Sequence, residues 1–257
     1  MSGTDLVELQ RTCYQSSNPT RRWLHNTRRD WINGALRRVA AGEARGRALE
    51  VGPGGGFYLP VLAGLYGEVV ATDIEKAYLD AAQPLTTTHR NLELRIDDIT
   101  ASRLPDASFD LVLCTEVIEH IHPRDSAAAL HNIRRVLKPG GTLVLSTPQR
   151  YSPLEVTAHI AFLPGILQLV RLIYGETVIP TGHINLLTAA VLQQQLAAAG
   201  FEVTERYTTG FYLPLIAEFC GQAGLRIEQA LEKRMRGGLF DGLLWTQYCV
   251  ARPRTGG

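Results

Sequence analysis

Short apolar runs alternate along this chain with stretches in which apolar residues recur every three or four positions. The runs are 48–51, 68–73, 92–96 and 109–114, with a fifth ending at Ser146 after the turn at 139–141. Runs this short, closed by a polar or acidic residue, predict buried strands. Between 20 and 41, Leu24, Thr27, Trp31, Ala35 and Val39 fall at helical spacing while arginines occupy the opposite face. Later, Thr188 caps a helix to Ala199, Gly200 stops it, 201–208 alternate as a strand, 212–236 read as helix, and 245–252 form a last strand. Alternating strands and helices argue an α/β fold: a doubly wound, mostly parallel sheet with helices on both faces. Ligands of such sheets sit at the carboxyl ends of the strands, where Glu50, Asp73, Asp98 and Thr115 fall.

The first run carries candidate chemistry. Ala48-Leu49-Glu50-Val51 leads directly into Gly52-Pro53-Gly54-Gly55-Gly56. Glycine tolerates positive φ and lets a ligand approach the backbone, so this turn suits an adenosine or a phosphate. Gly52, Gly54 and Gly56 read G-x-G-x-G, which is not the dinucleotide fingerprint, and no Gly-Lys-Ser/Thr follows to make a P-loop. Glu50 either orders this turn or touches the ligand. Asp73, about 20 residues on, either caps the helix that begins near Glu75 or accepts from ribose hydroxyls.

A second candidate follows the fourth run. If the chain turns helical there, Glu116, Glu119 and His120 stand at i, i+3 and i+4 on one face. Two carboxylates and an imidazole suit a divalent cation such as Mg²⁺, Mn²⁺ or Fe²⁺. The competing reading makes them helix-start and sheet-edge residues with no metal.

Composition narrows the partners. The 257 residues carry 26 Lys plus Arg against 25 Asp plus Glu, a net charge of +1, so no global field draws nucleic acid, and none is expected as a partner. Four cysteines without a C-x-x-C pair, and no signal-peptide pattern, lead to an expectation of reduced thiols and a cytoplasmic location. The apolar stretch 158–174 is broken by Pro164-Gly165 and is too short to span a bilayer. The wider insertion, 154–179, reads as core packing, as a lid over an apolar acceptor, or as a peripheral membrane contact.

Taken together, the G-x-G-x-G turn after 48–51, the acid ending 68–73, Asp97-Asp98-Ile99 and the Lys138-Pro139-Gly140-Gly141 turn resemble the class I S-adenosylmethionine-dependent methyltransferases. That resemblance implies a single seven-stranded domain over 1–257, its last strand inserted antiparallel beside the sixth. N-terminal helices would occupy 1–44, the cofactor core 45–150, the lid or substrate insertion 151–187 and the rest of the sheet 188–257. It implies S-adenosyl-L-methionine as cofactor, held by the three glycines, Glu50, Asp73 with Ile74, Thr115, and Asp98 with Ile99 as the adenine pair; Asp97 is the adjacent alternative.

Glu116-x-x-Glu119-His120, followed by Ser146-Thr147-Pro148 and Gly182-His183, resembles the ubiquinone-biosynthesis O-methyltransferases and the metal-dependent 2′-O-methyltransferases of small-RNA 3′ ends. In that light Glu116, Glu119, His120 and His183 would form a divalent metal site, with His120, Glu119 and His183 catalytic. The segment 23–32 resembles the entry helix of the quinone enzymes, with Arg28 facing the methionine carboxylate. The expected reaction is O-methylation of a phenol or quinol on an apolar small molecule. Methylation at N or C, RNA ribose methylation, and a non-catalytic cofactor-binding partner are the alternatives.

Overall fold

The computed structural model describes residues 12–41, 46–161 and 182–254. Seven strands form one sheet: β1 (Arg47–Val51), β2 (Glu68–Asp73), β3 (Leu92–Ile96), β4 (Phe109–Thr115), β5 (Leu137–Pro148), β6 (Phe201–Thr209) and β7 (Thr246–Pro253). Their order is β3-β2-β1-β4-β5-β7-β6. The first five are parallel, and β7 lies antiparallel between β5 and β6.

Period-two alternation distributes side chains to the two faces. Leu49, Val51, Val112, Cys114, Leu143 and Leu145 pack on one side. There they meet α4 (Ser126–Val136), through Leu130 and Ile133, and α6 (Ala189–Ala198), through Leu192 and Leu196. Ala48, Leu111, Leu113 and Val144 point the other way, toward Ile32 and Leu36 of α1 (Pro19–Ala40) and Leu59 and Leu62 of α2 (Leu59–Leu65). Ala82 of α3 (Lys76–Thr88) closes that layer. Each buried leucine or isoleucine is worth about 1.5–3 kcal/mol, so every helix is held by its apolar stripe more than by propensity.

The helix expected over 20–41 runs from Pro19 to Ala40. The Asn18 side chain accepts from the amides of Thr20 and Arg21, Pro19 stands where no amide is needed, and Arg37 and Arg38 end the helix. Thr188 likewise caps α6 by accepting from the Val191 amide.

Two readings are corrected. The stretch 212–236 is two helices, α7 (Pro214–Phe219) and α8 (Gly221–Met235), because Gly221 takes φ +49° and breaks the ladder. Residues 116–120 are no α-helix: Glu116 sits at φ +55°, and only Ile118–His120 forms a single 3₁₀ turn before α4 begins. After β5, α5 (Pro153–Ala161) leads into the insertion, and residues 162–181, most of the expected lid and membrane contact, lie outside the described residues. No helix among the described residues is long and apolar enough to cross a membrane.

Two buried carboxylates hold the C-terminal helices in place. Glu228 accepts from Thr20 Oγ1 at 2.6 Å and the Leu213 amide at 2.7 Å. Glu232 takes Thr209 Oγ1 at 2.7 Å and the Gly210 amide at 2.9 Å. Between them they clamp the turn after β6, at Thr209, Gly210 and Leu213.

Candidate active site

The strand order reverses between β1 and β4, which is where a parallel sheet opens a crevice. Two cavities, of about 340 and 310 Å³, lie there and share Gly52, Gly54, Glu116 and His120 along their seam.

The smaller cavity runs to the ends of β2 and β3. Its floor depends on glycine: Gly52 takes φ +68°, and a Cβ there would stand 2.5 Å from Val117 Cγ2. Gly54, at φ +50°, lines both cavities. Gly56 lines neither; a Cβ would meet Leu85 Cδ1 at 2.9 Å, so its place is the packing of the loop on α3. Asp73 is not the cap of α3, whose N-cap position is Glu75. Its Oδ1 accepts from the Glu75 amide at 2.9 Å, and burial raises its carboxyl above the usual range. Ile74, 65% exposed, and the buried Ile99 line the same space.

Asp98 spends Oδ1 on the amide and hydroxyl of Thr100, both at 2.8 Å. Asp97 turns Oδ1 to the Arg103 amide at 3.0 Å and keeps a buried Oδ2 without a donor among the described residues. Both acids line the cavity, so the structure brings the pair there as a unit.

Glu50 corrects an expectation. It makes no hydrogen bond to the glycine turn: both carboxylate oxygens are buried and unpartnered among the described residues, and desolvation pushes its pKa up to about 8. It lines neither cavity, lying one strand position behind Val51.

The larger cavity passes under α1 to Trp245. Arg28 is brought there, but its guanidinium donates to Glu116 Oε2 and contacts His25 Nδ1 at 3.0 Å, with Trp245 beneath at 5.4 Å. Glu116 paired with it raises the Arg28 pKa. His25 is pushed down to about 3 by burial and by Arg28, and so is neutral. Glu116 also accepts from Ser146 Oγ at 2.8 Å. Its backbone is left-handed, and it is not among the expected metal ligands that converge. Thr115 lines this larger cavity, not the smaller one.

Glu119, His120 and His183 do converge, each offering a ligand atom within 4.8 Å of the others. The 3₁₀ turn delivers the first two. The backbone of Glu119 receives the amides of Ile184 and Asn185 at 2.9 and 3.0 Å, which fastens the His183 segment beside it. Glu119 is fully buried; Thr147 Oγ1 donates to Oε2 at 2.9 Å and Oε1 has no donor among the described residues. Burial and Glu116 raise its pKa. Burial and His183 lower that of His120. The Nδ1 atoms of both rings face acceptors, His120 toward the Gly182 carbonyl at 3.2 Å and His183 toward Glu155 at 2.9 Å. Each ring therefore keeps Nε2 for a ligand.

An orphaned carboxylate oxygen with two such imidazoles fits a divalent cation. The glycine cradle, Asp73 and the unpartnered oxygen of Asp97 fit a polar nucleoside with donors to place. Sequence reasoning missed Glu155 and Trp245, which meet at this site from positions 90 apart.

Comparison with known proteins agrees with this geometry. The model of the methyltransferase domain matches residues 23–206. A probable S-adenosylmethionine-dependent methyltransferase of Mycolicibacterium smegmatis is 31% identical over 187 residues, which are 72% of this chain and 63% of that protein. The chain thus spans under two thirds of that relative's length. A ubiquinone biosynthesis O-methyltransferase of Aeromonas salmonicida is 29% identical over 200 residues, covering 76% and 77% of the two chains. The N-methyltransferase NodS of Bradyrhizobium japonicum, solved with S-adenosyl-L-homocysteine, superposes with a TM-score of 0.56 at 16% identity over 99% of this chain and 100% of its own; it shares the fold. On the domain match and the sheet order together, this chain belongs to the class I S-adenosylmethionine-dependent methyltransferases.

Proposed function

We propose that this protein transfers a methyl group from S-adenosylmethionine to a hydroxyl of an apolar phenol or quinol. The observation that carries the reading is the seam: the glycine-floored cavity and the cavity holding Glu119, His120 and His183 meet at His120. S-adenosylmethionine supplies a sulfonium methyl, already activated, so the protein's tasks are alignment and removal of the acceptor proton. Gly52 and Gly54 admit the nucleoside, and Asp73 and the Asp97–Asp98 pair take its donors. Tyr14, Phe57 and Trp245 give the other cavity aromatic walls suited to a flat apolar acceptor. Where no ion takes that position, His120, whose pKa burial lowers, accepts the hydroxyl proton at Nε2.

Glu119, His120 and His183 would hold a divalent ion, which would lower the hydroxyl pKa when bound. Two imidazoles with one carboxylate favour Mn²⁺ or Fe²⁺ over Mg²⁺, which prefers an all-oxygen shell. The Aeromonas relative named as an O-methyltransferase supports oxygen as the methylated atom. The test is incubation with methyl-labelled S-adenosylmethionine and a panel of phenols, quinols and amines, read by mass spectrometry. Label on a phenolic oxygen is expected; label only on nitrogen or carbon, or only on RNA, overturns the assignment.

A further inference from the structure

Glu155 lies in the first turn of α5 and is only 5% exposed, yet it carries a carboxylate beside the acceptor cavity. Its Oε1 accepts from the indole Nε1 of Trp245 at 2.9 Å, and its Oε2 meets His183 Nδ1 at 2.9 Å. An ionised carboxylate can only accept, so the shared proton must sit on His183 Nδ1. That leaves a lone pair on His183 Nε2. His120 is set the same way by the Gly182 carbonyl, and the two rings stand 5.2 Å apart.

We infer that Glu155, itself pinned by Trp245, is a positioning residue that fixes the tautomer of His183 so that Nε2 is offered to the acceptor site. The inference rests on the reading of His183 as part of that site. The Trp245 contact makes the arrangement directional. An indole N–H only donates, so it decides which end of any side chain at 155 faces it.

Glu155→Gln therefore makes a sharp test, because glutamine keeps the shape and both partners. The indole demands the amide oxygen, which leaves the NH₂ facing His183 Nδ1. Nδ1 must then accept, and the ring proton moves to Nε2, where it blocks the ligand position. Replacing Trp245 by Phe as well removes the pin. The amide is then free to turn its oxygen to Nδ1 and restore the original tautomer.

The readout is long-range ¹H–¹⁵N correlation spectroscopy on chelator-treated, histidine-labelled full chain at about pH 8, above the ordinary imidazole value of about 6.5. His183→Gln identifies the His183 signals. We expect Nδ1–H in the parent, Nε2–H in E155Q and Nδ1–H again in E155Q/W245F. Nε2–H in the parent, or an unchanged Nδ1–H in E155Q, overturns the inference. Mn²⁺ affinity, measured by electron paramagnetic resonance, should fall about 10- to 100-fold in E155Q, as for other residues that orient metal ligands, and recover in the double variant. A tautomer that switches while Mn²⁺ affinity holds keeps Glu155 in its role and removes His183 from the ligand set instead.

Discussion

Both carboxylate oxygens of Glu50 are buried with no donor among the described residues, and desolvation alone lifts the group from an ordinary 4.5 to about 8. The folded protein then holds a proton that the unfolded chain releases above 4.5. Its contribution to stability is fully present below 4.5 and is lost as pH rises toward 8, with a slope of about 1.4 kcal/mol per pH unit. Chemical denaturation of the ligand-free protein should show stability falling from pH 5 to pH 8, and Glu50→Gln should flatten that slope. An equal slope in both proteins would show that Glu50 is not the group responsible. At this scale the acids at strand ends were legible because a run that stops at a carboxylate is a local pattern. Glu155 was not, since its partners His183 and Trp245 are brought to it by folding across 28 and 90 positions. Glu116 was misplaced for a different reason. Its spacing to Glu119 has meaning only on a helix, and a left-handed residue at 116 removes the helix.

The elements were legible where one periodicity dominated. The first four strands closed within a residue of the pattern's limits, and Thr188 caps its helix as expected, while the Asn18 cap went unread. The break at Gly221 was hidden, because amphipathic spacing continues across it and a single glycine does not say which way it will turn. Strand order was beyond any local signal: that β7 enters antiparallel beside β6 was expected from the family resemblance alone, through pairings that no single segment specifies. The loop after β1 gives this scale its prediction. Gly52→Ala would place a Cβ 2.5 Å from Val117 Cγ2 at φ +68°. Left-handed strain costs about 1–3 kcal/mol, and Val117 must move as well, carrying the start of the 116–120 segment with it. The denaturation midpoint should drop accordingly, and S-adenosylmethionine affinity should fall along with it. Unchanged values for both would mean that the loop is looser than its backbone angles indicate.

Across the whole molecule, one sheet edge serves two cavities whose walls come from different parts of the chain. The ends of β2 and β3 enclose one; α1, the 182–185 segment and Trp245 enclose the other. Because Asp73 lines only the first and His183 only the second, the functions of the two should separate under mutation of these residues. Asp73→Ala removes an acceptor from the smaller cavity and should weaken S-adenosylmethionine binding by about 1.5–3 kcal/mol, the worth of a hydrogen bond to a charged group, while leaving Mn²⁺ affinity unchanged. His183→Ala should do the reverse, losing the ion by elemental analysis while calorimetry finds S-adenosylmethionine still bound. Chelation should reduce turnover much more than nucleoside affinity, since an ion on Glu119, His120 and His183 would act on the acceptor oxygen. Mn²⁺ or Fe²⁺ should restore chelated protein better than Mg²⁺, because the site offers two nitrogens. If chelated protein turns over at the full rate and elemental analysis finds no ion, the metal falls away, and His120 remains as the base acting directly on the hydroxyl.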